Sequence, residues 1–350
     1  MDIEKVGAAI AYLRKRAGYT QKDLADRIGI SDKAVSKWER GLGLPDVSLL
    51  GKLSLLLDTD TDSLLAGDVI HHDKGWNGLL VFDDNPYGIG ADTIIYDKPL
   101  VYYMLSYFIL VGIKNIKIIC DERNQNFIQN TLVSGGFFSF SISFGRSIAD
   151  AVTDETFCNC DNLMVVFRRS FIYGVDMTRF LQRAMVHKDR LTILALPQGT
   201  RDVEDAVRFD ANKKIVSSED DDQLTTQYNY YNIPILFCPL PMFAEHFQHN
   251  PHNNNMSSLL NGQDVYIEAL DRGFIEITIS TQDDLFEAAN MVRLIEKHCG
   301  MIIYCLEEVA WRRGMISKQA LLAHSETINN PEYKKYVLSF VSSPSNSSGI

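Results

Sequence analysis

Apolar positions in the first 67 residues follow helical spacing, interrupted by glycines and by residues that cap helices. Val6, Ile10 and Leu13 lie three or four positions apart, which places them on one face of a helix. Thr20 and Ser31 precede later segments, and their hydroxyls can accept the unpaired N–H groups of a first helical turn. The pattern predicts five short helices: residues 3–16, 21–28, 32–40, 45–57 and 61–67.

After residue 75 the pattern changes to short apolar runs, typical of buried strands, that alternate with helical segments. This alternation predicts an α/β fold, Rossmann-like, with helices packed on a mixed, mainly parallel sheet. The predicted strands are residues 79–82, 116–120, 163–167 and 192–196. The predicted helices are residues 100–111, 177–186, 283–298, 306–313 and 318–323.

The change of pattern predicts two domains. An all-α domain is expected at residues 1–67 and an α/β domain at residues 77–341, joined by a polar linker at residues 68–76. Residues 342–350 are rich in Ser and Asn, which predicts a disordered tail. The length of 350 residues agrees with two domains, since a domain takes roughly 150 residues.

Charge is distributed unevenly between these domains. The chain carries a net charge of −11, which argues against a nucleic-acid-binding surface spread over its whole length. Residues 1–57 hold ten Lys or Arg against seven Asp or Glu, a balance of +3, and the remainder has a balance of −14. Any contact with nucleic acid is therefore expected in the first 57 residues.

Other candidate chemistry is sparse. The six cysteines form no C-x-x-C pair, so buried reduced thiols in a cytoplasmic protein are predicted. No apolar run reaches the ~20 residues of a membrane helix, and neither membrane contact nor a cofactor is expected. We interpret His246, His249 and His252 as a solvated loop rather than a metal site. Glu219–Asp222 is interpreted as an acidic surface turn.

The N-terminal pattern has a specific resemblance. Thr20–Ala25, Gly29–Ser31 and Val35–Gly41 together resemble the Cro and lambda repressor-like helix-turn-helix family. The resemblance implies that the third helix enters the major groove of double-stranded DNA. It implies buried positions at Ala25, Ile30, Val35 and Trp38. The residues expected to contact DNA are Gln21, Ser31, Asp32, Lys33, Ser36, Lys37 and Arg40. The alternative is a solvated helix in an ordinary bundle.

The α/β region resembles the sugar nucleotidyltransferases, specifically the glucose-1-phosphate thymidylyltransferases. Ile95–Tyr103 and Cys305–Ile316 carry this resemblance most clearly, and Tyr173–Asp176 and Val207–Asn212 fit the same template. The resemblance spans about residues 78–340. It implies attack of a sugar phosphate on the α-phosphate of a nucleotide, with a Gly-rich loop, an Arg, a Lys and Mg²⁺-binding carboxylates.

The chain departs from that family where the chemistry takes place. The loop after the first predicted strand is shorter and contains Asp83 and Asp84, which would repel phosphate. A metal-binding acidic position falls on basic residues, and the sugar-phosphate Lys position falls on acids. Five losses of this kind predict a catalytically dead relative with no catalytic or metal-binding residue. The five segments are Phe82–Gly90, Ser147–Ala151, Arg168–Ser170, Glu219–Asp222 and Glu276–Ser280.

A second, regulatory nucleotide-sugar site of the family is better preserved. An Arg can hold a diphosphate with two hydrogen bonds, and a Tyr can stack on a base. The alternative is that this motif persists only for packing between helices and sheet, with Arg312 in a salt bridge. The implied ligand-binding residues are Tyr173, Gly174, Glu308, Val309 and Arg312.

These observations lead to one main hypothesis and two alternatives. The main hypothesis is a transcriptional regulator whose nucleotidyltransferase-like domain forms a homodimer or homotetramer and senses a nucleotide or nucleotide sugar. The first alternative is an active glucose-1-phosphate thymidylyltransferase with an appended DNA-binding domain. The second is a structural oligomerisation domain that binds no ligand.

Overall fold

The chain divides into two compact units, one within residues 1–71 and the other within residues 72–342. The computed structural model describes residues 3–17, 19–57, 59, 61–67, 75–82, 85–134, 136–197, 206–209, 215–216, 229–249, 256–260 and 263–342. Most of the predicted linker and nearly all of the predicted tail lie outside the described residues, so the domain boundaries stay predictions.

The N-terminal unit contains the five predicted helices. Thr20 Oγ1 accepts a hydrogen bond from Asp23 N at 3.1 Å, and the Asp23 carboxylate accepts one from Thr20 N, so both hydrogen bonds of this capping box are present. Gly29 ends the second helix with φ = 82°, a conformation in which a Cβ would be strained. The helices are α1 (Ile3–Arg16), α2 (Gln21–Ile28), α3 (Asp32–Glu39), α4 (Val47–Leu57) and α5 (Thr61–Ala66).

One apolar core holds this unit together. The predicted core positions Ala25, Val35 and Trp38 are buried, whereas Ile30 is only partly buried against the same core. A Cβ at Gly7 would lie 2.3 Å from the carbonyl oxygen of Trp38, so α1 packs directly on the backbone of α3. The remaining buried core residues are Val6, Ile10, Leu13, Leu24, Ile28, Leu50, Leu53, Leu57 and Leu64.

A buried ion pair fixes α1 against α3. Arg14 Nε donates to Glu39 Oε1 at 2.5 Å, and Arg14 Nη2 donates to Glu39 Oε2 at 3.0 Å. Both side chains are less than a tenth exposed. Burial acts to raise the pKa of Glu39, but the hydrogen bonds from Arg14 and Gln21 outweigh it and the pKa is lowered.

The C-terminal unit is built on a nine-stranded mixed sheet, as the predicted fold class requires. Its centre is the parallel arrangement β5-β4-β1-β6, and β11 then pairs antiparallel with β6, β8 and β9. The strands are β1 (Trp76–Val81), β2 (Ile94–Ile95), β3 (Lys98–Pro99), β4 (Asn115–Ile119), β5 (Ser141–Gly145), β6 (Asn162–Phe167), β7 (Ser170–Tyr173), β8 (Leu191–Pro197), β9 (Ala206–Phe209), β10 (Ile215–Val216), β11 (Asn229–Pro239), β12 (Val265–Ala269) and β13 (Ile275–Thr278).

Helices cover both faces of this sheet. Along β1, Leu80 packs into one apolar cluster and its neighbours Leu79 and Val81 pack into a second, because successive strand residues point to opposite faces. The two clusters are the cores of the two layers. The helices are α6 (Leu100–Leu110), α7 (Glu122–Ile128), α8 (Ile148–Thr153), α9 (Met177–Val186), α10 (Leu240–His249), α11 (Gln282–Cys299), α12 (Leu306–Arg312), α13 (Lys318–Ser325) and α14 (Pro331–Ser342).

Several sequence predictions need correction. The solvated loop predicted around His246 and His249 is wrong, because both residues lie in α10, and His246 Nε2 is 2.9 Å from Ser258 Oγ. Phe243 and Phe247 on the same helix are buried, and this apolar spacing outweighs the polar residues that follow. His252 lies outside the described residues. Cys299, predicted to be buried, is exposed, and the described cysteines are all free.

A buried carboxylate joins the last three helices. Glu307 on α12 is fully buried, and its Oε1 is 3.0 Å from His324 Nε2 on α13. Its Oε2 accepts a hydrogen bond from the hydroxyl of Tyr333 on α14 at 2.5 Å. Burial acts to raise the pKa of Glu307, but the hydrogen bonds from His324 and Tyr333 outweigh it, so the pKa is lowered.

Within the described part of the chain, no helix is both long enough and apolar enough to cross a membrane.

We expect Arg14→Met to destabilise the N-terminal unit by about 2–3 kcal/mol at neutral pH, because it leaves the Glu39 carboxylate buried without its cation. Urea-dependent hydrogen exchange of α1 and α3 peptides measures this locally. In the wild type, the contribution of Glu39 is present above its unfolded pKa and is lost as the pH falls through its lower folded pKa. Arg14→Met should weaken that acid-range dependence.

Lys52→Met on α4 is the matched control, since Lys52 is exposed and its loss should change stability by less than about 0.5 kcal/mol. Equal stability of Arg14→Met and Lys52→Met would show that the ion pair does not hold α1 on α3.

Candidate functional sites

The outer face of α3 presents most of the residues predicted to contact DNA. Asp32, Lys33, Lys37 and Arg40 are exposed, and Ser36 is half-buried between them. Lys33 and Lys37 lie one helical turn apart, so their ammonium groups lie on the same face. Within the described residues neither lysine side chain forms an ion pair or hydrogen bond.

Three of the predicted DNA-contacting residues form hydrogen bonds within the unit. Ser31 Oγ accepts a hydrogen bond from Ala34 N at 3.3 Å and thereby caps α3. Gln21 Nε2 donates to Glu39 Oε2 at 2.7 Å, which links the start of α2 to the Arg14–Glu39 pair. Arg40 Nε donates to the Ser36 carbonyl at 3.2 Å. These contacts hold α2 and α3 in a defined relation, while α3 itself remains open to a partner.

The loop after β1 corresponds to the position where the sequence resemblance implies a triphosphate-binding loop. Among its described residues, the backbone N–H groups from Tyr87 to Ala91 donate to acceptors within the protein. The Asn85 side-chain carbonyl accepts from Tyr87 N at 2.8 Å and from Ile89 N at 3.4 Å, and the Asn85 backbone carbonyl accepts from Gly88 N at 3.1 Å. A phosphate that binds to a loop needs these N–H groups free.

The N–H groups of the next two loop residues also form hydrogen bonds within the protein. Gly90 N donates to Thr93 Oγ1 at 2.9 Å, and Ala91 N donates to Asn124 Oδ1 at 2.6 Å. A Cβ at Gly90 would lie 2.6 Å from Asn124 Oδ1, so this glycine is needed for close packing against α7. Glycine in this loop therefore serves the approach of a side chain of the protein itself. Asp83 and Asp84 lie outside the described residues.

Two arginines occupy the carboxyl end of β6, beside the end of β1. This edge of a parallel sheet is where α/β folds bind ligands. Arg169 is 6% exposed, and its guanidinium lies 5.7 Å from the centre of the Phe82 ring. Its backbone carbonyl accepts from Ile279 N at 2.6 Å. Arg168 has φ = 64°, a conformation that is uncommon for residues other than glycine.

Two carboxylates of this unit accept hydrogen bonds from residues close to them in the sequence. Asp150 caps α8 by accepting from Arg146 N at 2.6 Å and Ser147 N at 3.0 Å, and these bonds lower its pKa. Glu276 is buried and accepts from Thr278 Oγ1 at 2.7 Å. Among the described residues no group of three or more His, Cys, Asp or Glu side chains has the arrangement of a metal site. Residues 219–222 lie outside the described residues.

The predicted regulatory residues fall into two groups. On α12, Arg312 donates to Glu308 Oε1 from Nε at 2.9 Å and from Nη2 at 2.7 Å, while Tyr336 donates its hydroxyl to Glu308 Oε2 at 2.6 Å. Val309, which lies between Glu308 and Arg312 in the sequence, is partly buried against the core. The Arg312 side chain is half exposed. The structure thus brings Glu308 and Arg312 into direct contact.

The second group lies at the end of β7. Tyr173 stacks on Phe171 and meets the ring of Tyr304 edge-on, both at 6.5 Å between ring centres, and burial raises the pKa of Tyr173. Gly174 lies under the ring of Phe274, where a Cβ would be 2.3 Å from the ring. Tyr304 lies two residues before the start of α12, so it connects this group to the first one along the chain.

Comparison with known proteins agrees with this architecture. A family model described as helix-turn-helix matches residues 10–64. A glucose-1-phosphate thymidylyltransferase of Neisseria meningitidis is 28% identical over 257 residues, which cover 70% of this chain and 89% of that protein. A protein of the same name from Mycolicibacterium smegmatis is 27% identical over 260 residues, covering 70% of this chain and 88% of that protein.

The C-terminal unit is homologous to glucose-1-phosphate thymidylyltransferases. The N-terminal unit contains a helix-turn-helix domain. Both resemblances found in the sequence are therefore confirmed. A solved structure of a glucose-1-phosphate thymidylyltransferase from Bacillus anthracis in complex with sucrose also matches, with a TM-score of 0.47 and 15% identity, over 63% of this chain and 96% of that one.

Sequence reasoning missed two residues of the thymidylyltransferase-like unit that contact the predicted regulatory positions. Tyr336 donates to Glu308 from α14, a helix that was not predicted. Tyr333, Tyr336 and Phe340 recur at helical spacing, so apolar periodicity carried a signal for this helix. Tyr304 pairs with Tyr173 only through the tertiary fold, and no local pattern indicates that contact.

Proposed function

We propose that this protein is a sequence-specific DNA-binding transcriptional regulator whose thymidylyltransferase-like unit does not catalyse nucleotidyl transfer, forms a homo-oligomer and senses a nucleotide sugar. The main support is a contrast within one chain. The helix-turn-helix domain presents two lysines on α3 that have no partner among the described residues, whereas the N–H groups of Tyr87 to Ala91 in the loop after β1 donate to acceptors within the homologous unit. The α3 face can therefore bind a partner directly, whereas the loop after β1 would first have to give up its internal hydrogen bonds.

DNA recognition is assigned to the N-terminal end and outer face of α3. Lys33 and Lys37 would donate to guanine edges or to phosphate, and Asp32 would accept from cytosine. Gln21 and Arg40 would contact the DNA backbone, with Ser31 and Ser36 beside them. The balance of −14 outside residues 1–57 disfavours DNA contact there, because like charges repel.

Loss of catalysis is supported by the hydrogen bonds of the loop after β1. Five consecutive N–H groups, from Tyr87 to Ala91, already donate to Asn85, Thr93 and Asn124. A bound triphosphate would have to break these bonds before forming its own, and it would approach a carboxylate-rich unit. Without positioned donors the transition-state charge loses its main source of stabilisation.

Sensing is assigned to Tyr173, Gly174, Glu308, Val309 and Arg312. In the structure Arg312 holds Glu308, and a diphosphate would compete for the same guanidinium. Ligand binding would thus exchange one partner of Arg312 for another and release Glu308. A homodimer or homotetramer in the cytoplasm would place two helix-turn-helix domains on paired half-sites, and a ligand that favours one arrangement would alter their spacing.

The transferase assay distinguishes this proposal from an active enzyme with an appended DNA-binding domain. With dTTP or UTP, glucose 1-phosphate and Mg²⁺, we expect no pyrophosphate release above the background without protein. The homologue from Neisseria meningitidis serves as the positive control for the assay. Turnover comparable to that control would refute the loss of catalysis and favour the enzyme.

For DNA binding, we expect Lys37→Ala to weaken binding about tenfold or more to a site selected by the wild-type protein from random duplexes, because one base or phosphate contact contributes ~1–3 kcal/mol. Binding is measured by fluorescence anisotropy at fixed salt. Lys52→Ala on α4 removes the same charge away from the α3 face and should bind normally. Equal affinities for both variants would contradict the assignment of α3.

The sensor assignment predicts heat on calorimetric titration with dTDP-glucose or dTDP-rhamnose, and binding at least tenfold weaker in Arg312→Gln, which loses the charged hydrogen bonds. Arg313→Gln is not a suitable control, since Arg313 Nη2 donates to the Leu110 carbonyl. Arg272→Gln, at an exposed turn, is used instead. No heat with either ligand would remove the sensor and leave a structural oligomerisation domain.

A further inference from the structure

An open cleft of about 590 Å³ lies in the C-terminal unit, between the β2–β3 turn, the C-terminal half of α11 and the start of α14. None of the five residues proposed above for nucleotide-sugar sensing lines it. The lining residues that matter for its chemistry are Tyr96, Arg293, Lys297, Asn330, Tyr333 and Tyr336.

A buried lysine contacts two of the acidic lining residues. Lys98 is 2% exposed, and its Nζ lies 2.9 Å from Asp97 Oδ1 and 3.5 Å from Glu296 Oε1. The Lys98 ammonium also lies 4.2 Å from the centre of the Tyr103 ring. Lys98 offsets one of these two carboxylates, so the cluster of Asp97, Lys98 and Glu296 keeps a formal charge of −1. Glu332 is the remaining acidic residue of the lining.

Two cations on the cleft wall have no such partner. Arg293 and Lys297 lie one turn apart on α11, and both are exposed. Within the described residues neither forms an ion pair or a hydrogen bond, in contrast to Arg312 and Lys98. A pair of cations on one wall of a concave site favours an anion with two or more charged oxygens, because both cations can donate to it.

An aromatic residue with a strained backbone conformation lines the cleft. Tyr96 has φ = 58° and is 46% exposed. An aromatic residue in the left-handed region costs free energy, and such strain is kept where the surrounding structure fixes it, often at ligand sites. Asp97 N donates to the Ile95 carbonyl at 2.8 Å and closes the turn that holds Tyr96 there. A flat ring can stack on its exposed face.

We propose that this cleft binds a small ligand in which a diphosphate or phosphate is attached to a ring-bearing group, with the phosphate on Arg293 and Lys297 and the ring on Tyr96. This site is separate from the one proposed at Arg312 and does not depend on it.

Occupancy of the cleft can be transmitted to α12. Tyr333 and Tyr336 lie one turn apart on α14 and both line the cleft, while their hydroxyls donate to Glu307 at 2.5 Å and to Glu308 at 2.6 Å. A ligand that displaces α14 would therefore act on two consecutive glutamates. Glu308 is the residue that holds Arg312, so the cleft and the α12 site share one hydrogen-bonded connection.

The test is calorimetric titration of the full chain with thymidine diphosphate, thymidine and pyrophosphate. We expect thymidine diphosphate to bind the wild type, and the double variant Arg293→Gln/Lys297→Gln to bind it at least tenfold more weakly, because two charge-assisted contacts are lost. Tyr96→Ala should weaken thymidine diphosphate several-fold and leave pyrophosphate unchanged. All these changes are at exposed positions, and circular dichroism verifies folding.

The matched control is Lys188→Gln/Arg272→Gln, which removes two exposed cations elsewhere on the same unit. Its affinity for thymidine diphosphate should equal that of the wild type. The proposal is overturned if the wild type binds none of the probes, or if Arg293→Gln/Lys297→Gln binds as the wild type does. Loss of binding in Arg312→Gln alone would also overturn it and would assign the ligand to α12 instead.

Discussion

A carboxylate taken out of water has to be matched by donors, and in each unit one such carboxylate determines how the surrounding helices are placed. Glu39 accepts hydrogen bonds from Arg14 and Gln21, which joins α1, α2 and α3. Glu307 contacts His324 and accepts from Tyr333, which joins α12, α13 and α14. The hydrogen bonds to Glu39 orient the exposed face of α3, and those to Glu307 fix the helix that carries Glu308.

The two carboxylates also show why similar polar contacts have different consequences. Around Glu39 every donor comes from a helix that frames the α3 face, so the network holds that face while leaving its lysines unengaged. Around Glu307, Tyr333 comes from α14, which also lines the cleft, whereas His324 comes from α13, which does not. The network around Glu307 therefore reaches the cleft through one helix, whereas the network around Glu39 positions the α3 face.

Much of the fold could be predicted from the sequence, because the signals are local. Thr20 and Ser31 cap the helices they were expected to cap, and the apolar runs at β1, β4 and β6 lie at the centre of the sheet. The strands β9, β10, β11 and β13 and the helix α14 were missed, since their burial depends on distant partners. The contact between Glu308 and Arg312 follows from a spacing of four residues, whereas the contacts of Tyr336 and Tyr304 depend on the tertiary fold.

The hydrogen bonds of the loop after β1 limit what a single substitution can change there. Asn85 alone takes three of the five N–H groups, and Thr93 and Asn124 take the others. Replacing any one of these acceptors would free one or a few donors and leave the rest of the turn in its present shape. Freeing the other donors would therefore require changes both within the loop, at Asn85 and Thr93, and on α7, at Asn124. The Gly88 N–H donates to a backbone carbonyl, so only a different turn would release it.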